Sequence, residues 1–197
     1  MRLIYAVFIL LLALMTSAQC QQTAEDWVNK SADLIAQGKY DEAIKACDEA
    51  IQLDPNYVLA WTCKGSALFG QGKYDEAIKC SDEAIRLDPT DRMATFAAWF
   101  IKGTAFAGQG KYDEAIKCVD EAIKINPNRT EAWYGKSAVL GAQGKYDEAI
   151  KCLDEAIKIN PNYAQAYYAK GVALKSLGKT SEANAAKAKA KELGYTG

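Results

Sequence analysis

The sequence predicts an all-α solenoid: stacked helix-turn-helix pairs, about ten helices, behind an N-terminal signal or anchor segment. Three observations carry this. The heptapeptide Gly-Lys-Tyr-Asp-Glu-Ala-Ile begins at Gly38, Gly72, Gly110 and Gly144, and a worn copy, Gly-Lys-Thr-Ser-Glu-Ala-Asn, begins at Gly178. The intervals are 34, 38, 34 and 34 residues, a period that marks a stacked-repeat architecture. The chain's four prolines, Pro55, Pro89, Pro127 and Pro161, each close one period, so proline serves only to separate units.

The N-terminal residues come first. Met1-Arg2 is followed by an uncharged apolar run from Leu3 to Leu14, then by Thr16-Ser17-Ala18-Gln19-Cys20. A basic start, a short apolar core and a small-residue cleavage region describe a secretory signal peptide over residues 1–20. The run is short of the roughly 20 apolar residues a spanning helix needs. Thr16 and Ala18 suit cleavage after Ala18. An uncleaved membrane anchor, or lipid attachment at Cys20, is the alternative, and Gln19 is a poor residue to precede a lipidated cysteine. On either reading the protein is secreted or held outside the cytoplasmic membrane in the cell envelope.

Each unit then opens with a helix carrying an aromatic marker: Trp27, Trp61, Trp99, Trp133 and Tyr167. Four residues on stands a small residue, Ser31, Gly65, Gly103, Ser137 or Gly171, which lets a neighbouring helix approach. Three further stands Leu34, Leu68, Phe106, Leu140 or Leu174. The heptapeptide glycine ends this helix, as the residue that tolerates a left-handed cap. The second helix follows. From Gly110, apolar residues fall at Tyr112, Ala115, Ile116, Val119, Ala122 and Ile123, one helical stripe. Asp113 lies four residues before Lys117, the favourable order for a helical ion pair. Pro127 stops the helix because the residue before proline is pushed out of the helical region. The fifth second helix, from Ser181, substitutes Ala and Lys for Ile and Tyr, as suits a terminal element that nothing covers.

Trp99, Gly103, Phe106, Gly110, Tyr112, Ala115, Ala122 and Pro127, recurring in register over 34 residues, resemble the tetratricopeptide repeat (TPR) family. The resemblance sets units at 24–57, 58–91, 96–129, 130–163 and 164–197, one domain over 24–197. It implies a right-handed superhelix whose first helices line a concave face. Four extra residues, Arg92-Met93-Ala94-Thr95, fall at 92–95 between the second and third units. Four residues are close to one helical turn, and no Gly or Pro interrupts them, so they are expected to extend the third unit's first helix backward.

The family's ligand-facing residues come from the first helices. Here the matching positions read Val28, Thr62, Phe100, Tyr134 and Tyr168; then Ala32, Ser66, Thr104, Ala138 and Val172; then Ile35, Phe69, Ala107, Gly141 and Lys175. They share one helical face. The expected peptide-binding groove comprises Thr62, Ser66, Phe69, Phe100, Thr104, Tyr134, Ala138, Tyr168 and Val172, with an aromatic track from Phe100 through Tyr134 to Tyr168. The Lys, Arg and Asn with which some members clamp a C-terminal carboxylate are absent at the matching places.

Little points to chemistry. The chain has no histidine, the commonest general base and metal ligand. Its Asp-Glu pairs are adjacent on helices and do not face one another, so they read as solvated faces. Lys30, Lys64, Lys102, Lys136 and Lys170 recur beside the small residue. They are expected to lay their stems over apolar surface with the ammonium in water. Cys80, Cys118 and Cys152 recur at one position, roughly 8–10 Å apart by helix packing, too far for disulfides. Their spacing is unlike that of zinc ligands. No enzyme, cofactor or metal is expected. The net charge of −1, near −2 without Arg2, gives no reason to expect nucleic acid as partner. Asn128-Arg129-Thr130 places Asn128 as a glycosylation acceptor in an exposed turn, whereas Asn29 falls inside a helix. The expected function is an exported protein-protein interaction scaffold, monomeric, binding a peptide segment of a partner protein, with membrane attachment only through the N-terminal segment. The alternative is a structural, self-assembling TPR protein of the cell envelope.

Overall fold

A computed structural model describes residues 22–196. The signal-peptide and Cys20 expectations lie outside the described residues. Ten α-helices follow in five pairs: α1 (Ala24–Ala36) and α2 (Tyr40–Leu53), α3 (Val58–Gly70) and α4 (Tyr74–Leu87), α5 (Arg92–Gly108) and α6 (Tyr112–Ile125), α7 (Thr130–Ala142) and α8 (Tyr146–Ile159), α9 (Ala164–Ser176) and α10 (Thr180–Glu192). No described helix is long and apolar enough to cross a membrane.

The turns follow from local chemistry. Within each pair the heptapeptide glycine takes a positive φ, 73° to 77° from Gly38 to Gly178. That conformation lets Lys39 N–H reach back to Leu34 C=O at 2.9 Å, and the next three units repeat the bond at Lys73, Lys111 and Lys145. Between pairs, the residue before proline is extended, with φ −141° at Asp54. Its side chain, or that of Asp88, Asn126 or Asn160, accepts the N–H two residues on.

Packing defines the curvature. Each second helix packs on the next unit's first helix, and this contact is called a seam below. First helices of neighbouring units also touch one another, whereas second helices of neighbouring units do not. The first helices therefore line the inner, concave face. The buried core is largely alanine: Ala60, Ala98, Ala132 and Ala166 are each fully buried where a first helix meets the preceding unit. Small side chains bring the backbones close, and the flanking Trp and Ile residues fill the remainder.

The four residues 92–95 form the first turn of α5, which has 17 residues where the other first helices have 13. Asp91 caps it by accepting the N–H groups of Met93 and Ala94. Thr95 donates to Asp88 C=O at 3.0 Å, and Arg92 reaches the Ile125 C=O at the end of α6. The added turn has a local cost. Trp61 and Trp133 donate their indole N–H to Pro55 C=O and Pro127 C=O, both at 2.9 Å. Trp99, set back a turn from Pro89, makes no such bond.

Candidate functional site

The repeated charges do not behave as the sequence suggested. Lys64, Lys102, Lys136 and Lys170 do not leave their ammonium groups unpaired in water. Each spans a seam to an aspartate of the preceding second helix: Asp48 at 2.6 Å, Asp82 at 2.5 Å, Asp120 at 2.7 Å and Asp154 at 2.5 Å. Burial alone would lower the Lys64 pKa, but the Asp48 carboxylate reverses this and holds it above the usual value. A second rung runs alongside. Gln71, Gln109 and Gln143 donate to Asp41, Asp75 and Asp113 at 2.6, 2.8 and 2.9 Å. The recurring aspartates are thus seam acceptors as well as solvated charges, and Asp113 bonds Gln143 across the seam. Lys30 has no preceding unit, and its ammonium lies 4.4 Å from the Trp27 ring centre. None of the four paired lysines is left to grip an acidic ligand in the groove.

The cysteines Cys47, Cys63, Cys80, Cys118 and Cys152 are free thiols. Burial pushes Cys47 up to about 12 and Cys80 up to about 11, and it raises the other three. Ser31 lies 2.9 Å from the Cys47 sulfur. Thiols held neutral in this way are poor nucleophiles at neutral pH. Among the described residues no cluster of three or more His, Cys, Asp or Glu could hold a metal ion.

The expected groove residues divide. Thr62 is buried and donates to Val58 C=O at 3.0 Å, so it presents nothing to a ligand. Thr104 is half-buried, and its hydroxyl is spent on the Phe100 and Ile101 carbonyls. Ser66 is half-buried. Phe69 is exposed at the rim, its ring 5.7 Å from that of Tyr74. Phe100 stacks on Phe96 at 6.1 Å and lies over Gly135, where a Cβ would come within 2.7 Å of its ring. It is a wedge between α5 and α7. The aromatic track therefore breaks at Phe100, because Gly135 leaves a hollow that the ring fills.

Tyr134, Ala138, Tyr168 and Val172 do converge. With Gly141, they line a cleft of about 410 Å³ between α7 and α9 on the concave side. Tyr146, Ala149 and Leu153 of α8 complete it from below, and Tyr195 forms a wall. Ala138 and Val172 stand exposed, and space beside Gly141 is open. No charged side chain lines the cleft. Ser137 and Ser176 line it too, but their hydroxyls bond Tyr134 C=O and Val172 C=O on their own helices. Tyr134 sits edge-on to Tyr163 at 5.4 Å, and Tyr168 leans on Tyr195 at 4.5 Å. Burial, with Tyr195 nearby, raises the Tyr134 hydroxyl pKa.

Tyr146 and Tyr195 are the aromatic lining residues that first-helix reasoning misses. Tyr146 is the heptapeptide tyrosine. Its counterparts Tyr40 and Tyr74 press against Gly70 and Gly108 of the next first helix. Tyr195 is placed by Gly194, whose φ of 89° lets Tyr195 N–H bond Ala190 C=O at 3.0 Å. This is the same cap that ends each first helix, so Leu193-Gly194-Tyr195 was the available signal.

Three profiles of this fold class match the chain: a tetratricopeptide repeat over residues 34–100, another over 96–129, and a TPR repeat over 138–178. The chain belongs to the tetratricopeptide repeat family. No curated protein matches it in sequence. Among solved structures, MamA is 28% identical with a TM-score of 0.69, and the match covers 83% of this chain and 93% of that one. MamA from Desulfovibrio magneticus RS-1 is 20% identical at TM-score 0.70, covering 86% and 94%. YrrB, a TPR protein with an unusual peptide-binding site, is 22% identical at 0.63, covering 87% and 86%. The last two likenesses show the fold alone.

Proposed function

We propose that this protein is an exported scaffold that binds an extended peptide segment of a partner protein in the cleft between α7 and α9. The observation that carries the reading is an uncharged, tyrosine-lined hollow on the concave face with Val172 43% exposed at its mouth. Tyrosine is enriched in protein-recognition surfaces, and a neutral cleft of this size accepts an apolar side chain. Ala138→Arg with Val172→Glu fills the mouth and leaves the core untouched, since both side chains are exposed. Peptides selected from a display library on the full chain are expected to bind this double variant at least tenfold more weakly. Undiminished binding would remove the cleft from the reading.

Export rests on residues 1–20. The expected mature N-terminus is Gln19, read by mass spectrometry of the chain recovered from its native host. A retained Met1, or a mature chain that begins at a lipidated Cys20, would make the segment a source of anchoring instead of release.

A further inference from the structure

The fifth unit departs from the others at the positions that build the core. Nine residues beyond the turn glycine, α2, α4, α6 and α8 carry Cys47, Ser81, Val119 and Leu153, all essentially fully buried. At that position α10 carries Lys187. Thirteen residues beyond, the half-buried Ile51, Ile85, Ile123 and Ile157 give way to Lys191. Seventeen beyond, the four prolines give way to Tyr195. A polar terminal helix accounts for lysines on its outer face, but Lys187 points the other way. Its stem packs where a Cβ on Gly171 would stand, and its ammonium lies 5.6 Å from the Tyr168 ring centre. Lys187 and Lys191, with Tyr168 and Tyr195, line a second hollow of about 450 Å³. Tyr168 and Tyr195 line the tyrosine cleft as well, so the neutral and the basic hollows adjoin. Among the described residues neither lysine pairs with a carboxylate, whereas Lys189 between them pairs with Glu192 at 2.6 Å.

We propose that the two hollows form one composite site for an acidic-apolar peptide motif. An aromatic or aliphatic side chain enters the tyrosine cleft, and an Asp or Glu within the next few residues pairs with Lys187 and Lys191 across Tyr195. The inference rests on the peptide-binding reading above and adds the partner's charge. Charge complementarity decides the occupant: the cleft offers no ionic partner, and the adjoining hollow is lined by two lysines and no carboxylate. The lysines arise on a second helix at the end of the array, away from the first-helix positions expected to face ligand.

A dodecapeptide display library selected on the full chain at low salt tests it. The expected winners carry an aromatic or aliphatic residue followed within about four positions by Asp or Glu. Lys187→Gln with Lys191→Gln keeps much of each stem and removes both charges. It is expected to weaken these peptides by about tenfold, as will replacing the peptide acid by its amide. Lys191→Gln alone should give part of that loss, and salt should weaken wild-type binding more than binding by the double variant. Winners with no acid, lost on Ala138→Arg/Val172→Glu but unchanged on the lysine variant, would overturn this inference and leave the cleft reading standing. Winners unaffected by Ala138→Arg/Val172→Glu would overturn the cleft reading itself. A selection that enriches nothing overturns both.

Discussion

Gly65 and Gly103 occupy the same place in successive first helices, yet one methyl group has opposite consequences there. A Cβ on Gly65 would meet only ordinary contacts, from 3.4 Å outward. Gly65→Ala should therefore gain some of the roughly 1 kcal/mol of helix propensity that separates Gly from Ala. A Cβ on Gly103 would stand 2.8 Å from Val119 and 3.1 Å from the Ala115 carbonyl. Gly103→Ala is expected to destabilise by about 1–3 kcal/mol, the cost of overpacking. Urea unfolding of the two variants checks the opposite signs. The thiols give a second residue-scale expectation. A thiol whose pKa is raised in the folded state stays neutral while its unfolded counterpart ionises. The unfolded chain then binds fewer protons, so stability falls as pH rises from about 9 toward the folded value. For Cys47 that window runs to about 12. Cys47→Ala should flatten the alkaline fall in thermal midpoint. At neutral pH the buried thiols of the folded chain should resist a thiol reagent that labels them quickly in denaturant.

At the scale of the element, the seams explain why the heptapeptide is copied so faithfully. Its tyrosine packs under the next first helix at Gly70 and Gly108, and its aspartate accepts the next glutamine. Each glutamine leaves its other amide atom, Oε1, buried without a partner, which offsets much of the bond's gain. The lysine–aspartate pairs are partly exposed and are worth about 0.2–1 kcal/mol apiece. A double-mutant cycle on Lys64 and Asp48 should return a coupling in that range, reduced by salt. The sequence made helices, turns and glycine caps legible because these are set within one period. The aromatic marker, the left-handed glycines and the early start of α5 all follow from neighbours a few residues away. The seam pairs were not legible. Lys64 and Asp48 are not helical neighbours, and only the stacking geometry brings them together. The packing of Phe100 was not legible for the same reason, since it depends on Gly135 in the next unit.

For the whole molecule, the two ends differ from every internal seam. At the C-terminal end, Ser181 and Ala188 replace the two seam aspartates, and Thr180 replaces the tyrosine. At the N-terminal end, Asp26 stands where the other first helices bury Ala60, Ala98, Ala132 and Ala166, and it is held in a capping box with Thr23. The N-terminal end keeps the seam donors Lys30 and Gln37, but Ala188 and Ser181 would stand opposite them in a head-to-tail contact, so both rungs would be missing and such stacking is expected to be disfavoured. Light scattering at high concentration is expected to return a monomer mass. A mass that grows with concentration would revive the self-assembling alternative. The concave face was legible at this scale, but the cleft within it was only half so. Its α7 and α9 walls follow from repeat register, whereas its far wall is Tyr195, contributed after the last helix.

The glutamine rung is absent from one seam. Three seams carry it, but at the fourth Leu177 stands where the others have Gln71, Gln109 and Gln143, opposite Asp147. That seam joins α8 to α9, and the cleft straddles it. If the array is regarded as a spring, this coil lacks a strut that the first three have. Thermal bending should concentrate there, and the mouth between Ala138 and Val172 should widen and narrow while the first three coils hold their pitch. Amide exchange in α9 and α10 should accordingly outpace that in α3 to α6. A ligand that bridges α7 and α9 would stiffen the joint that the missing rung left loose.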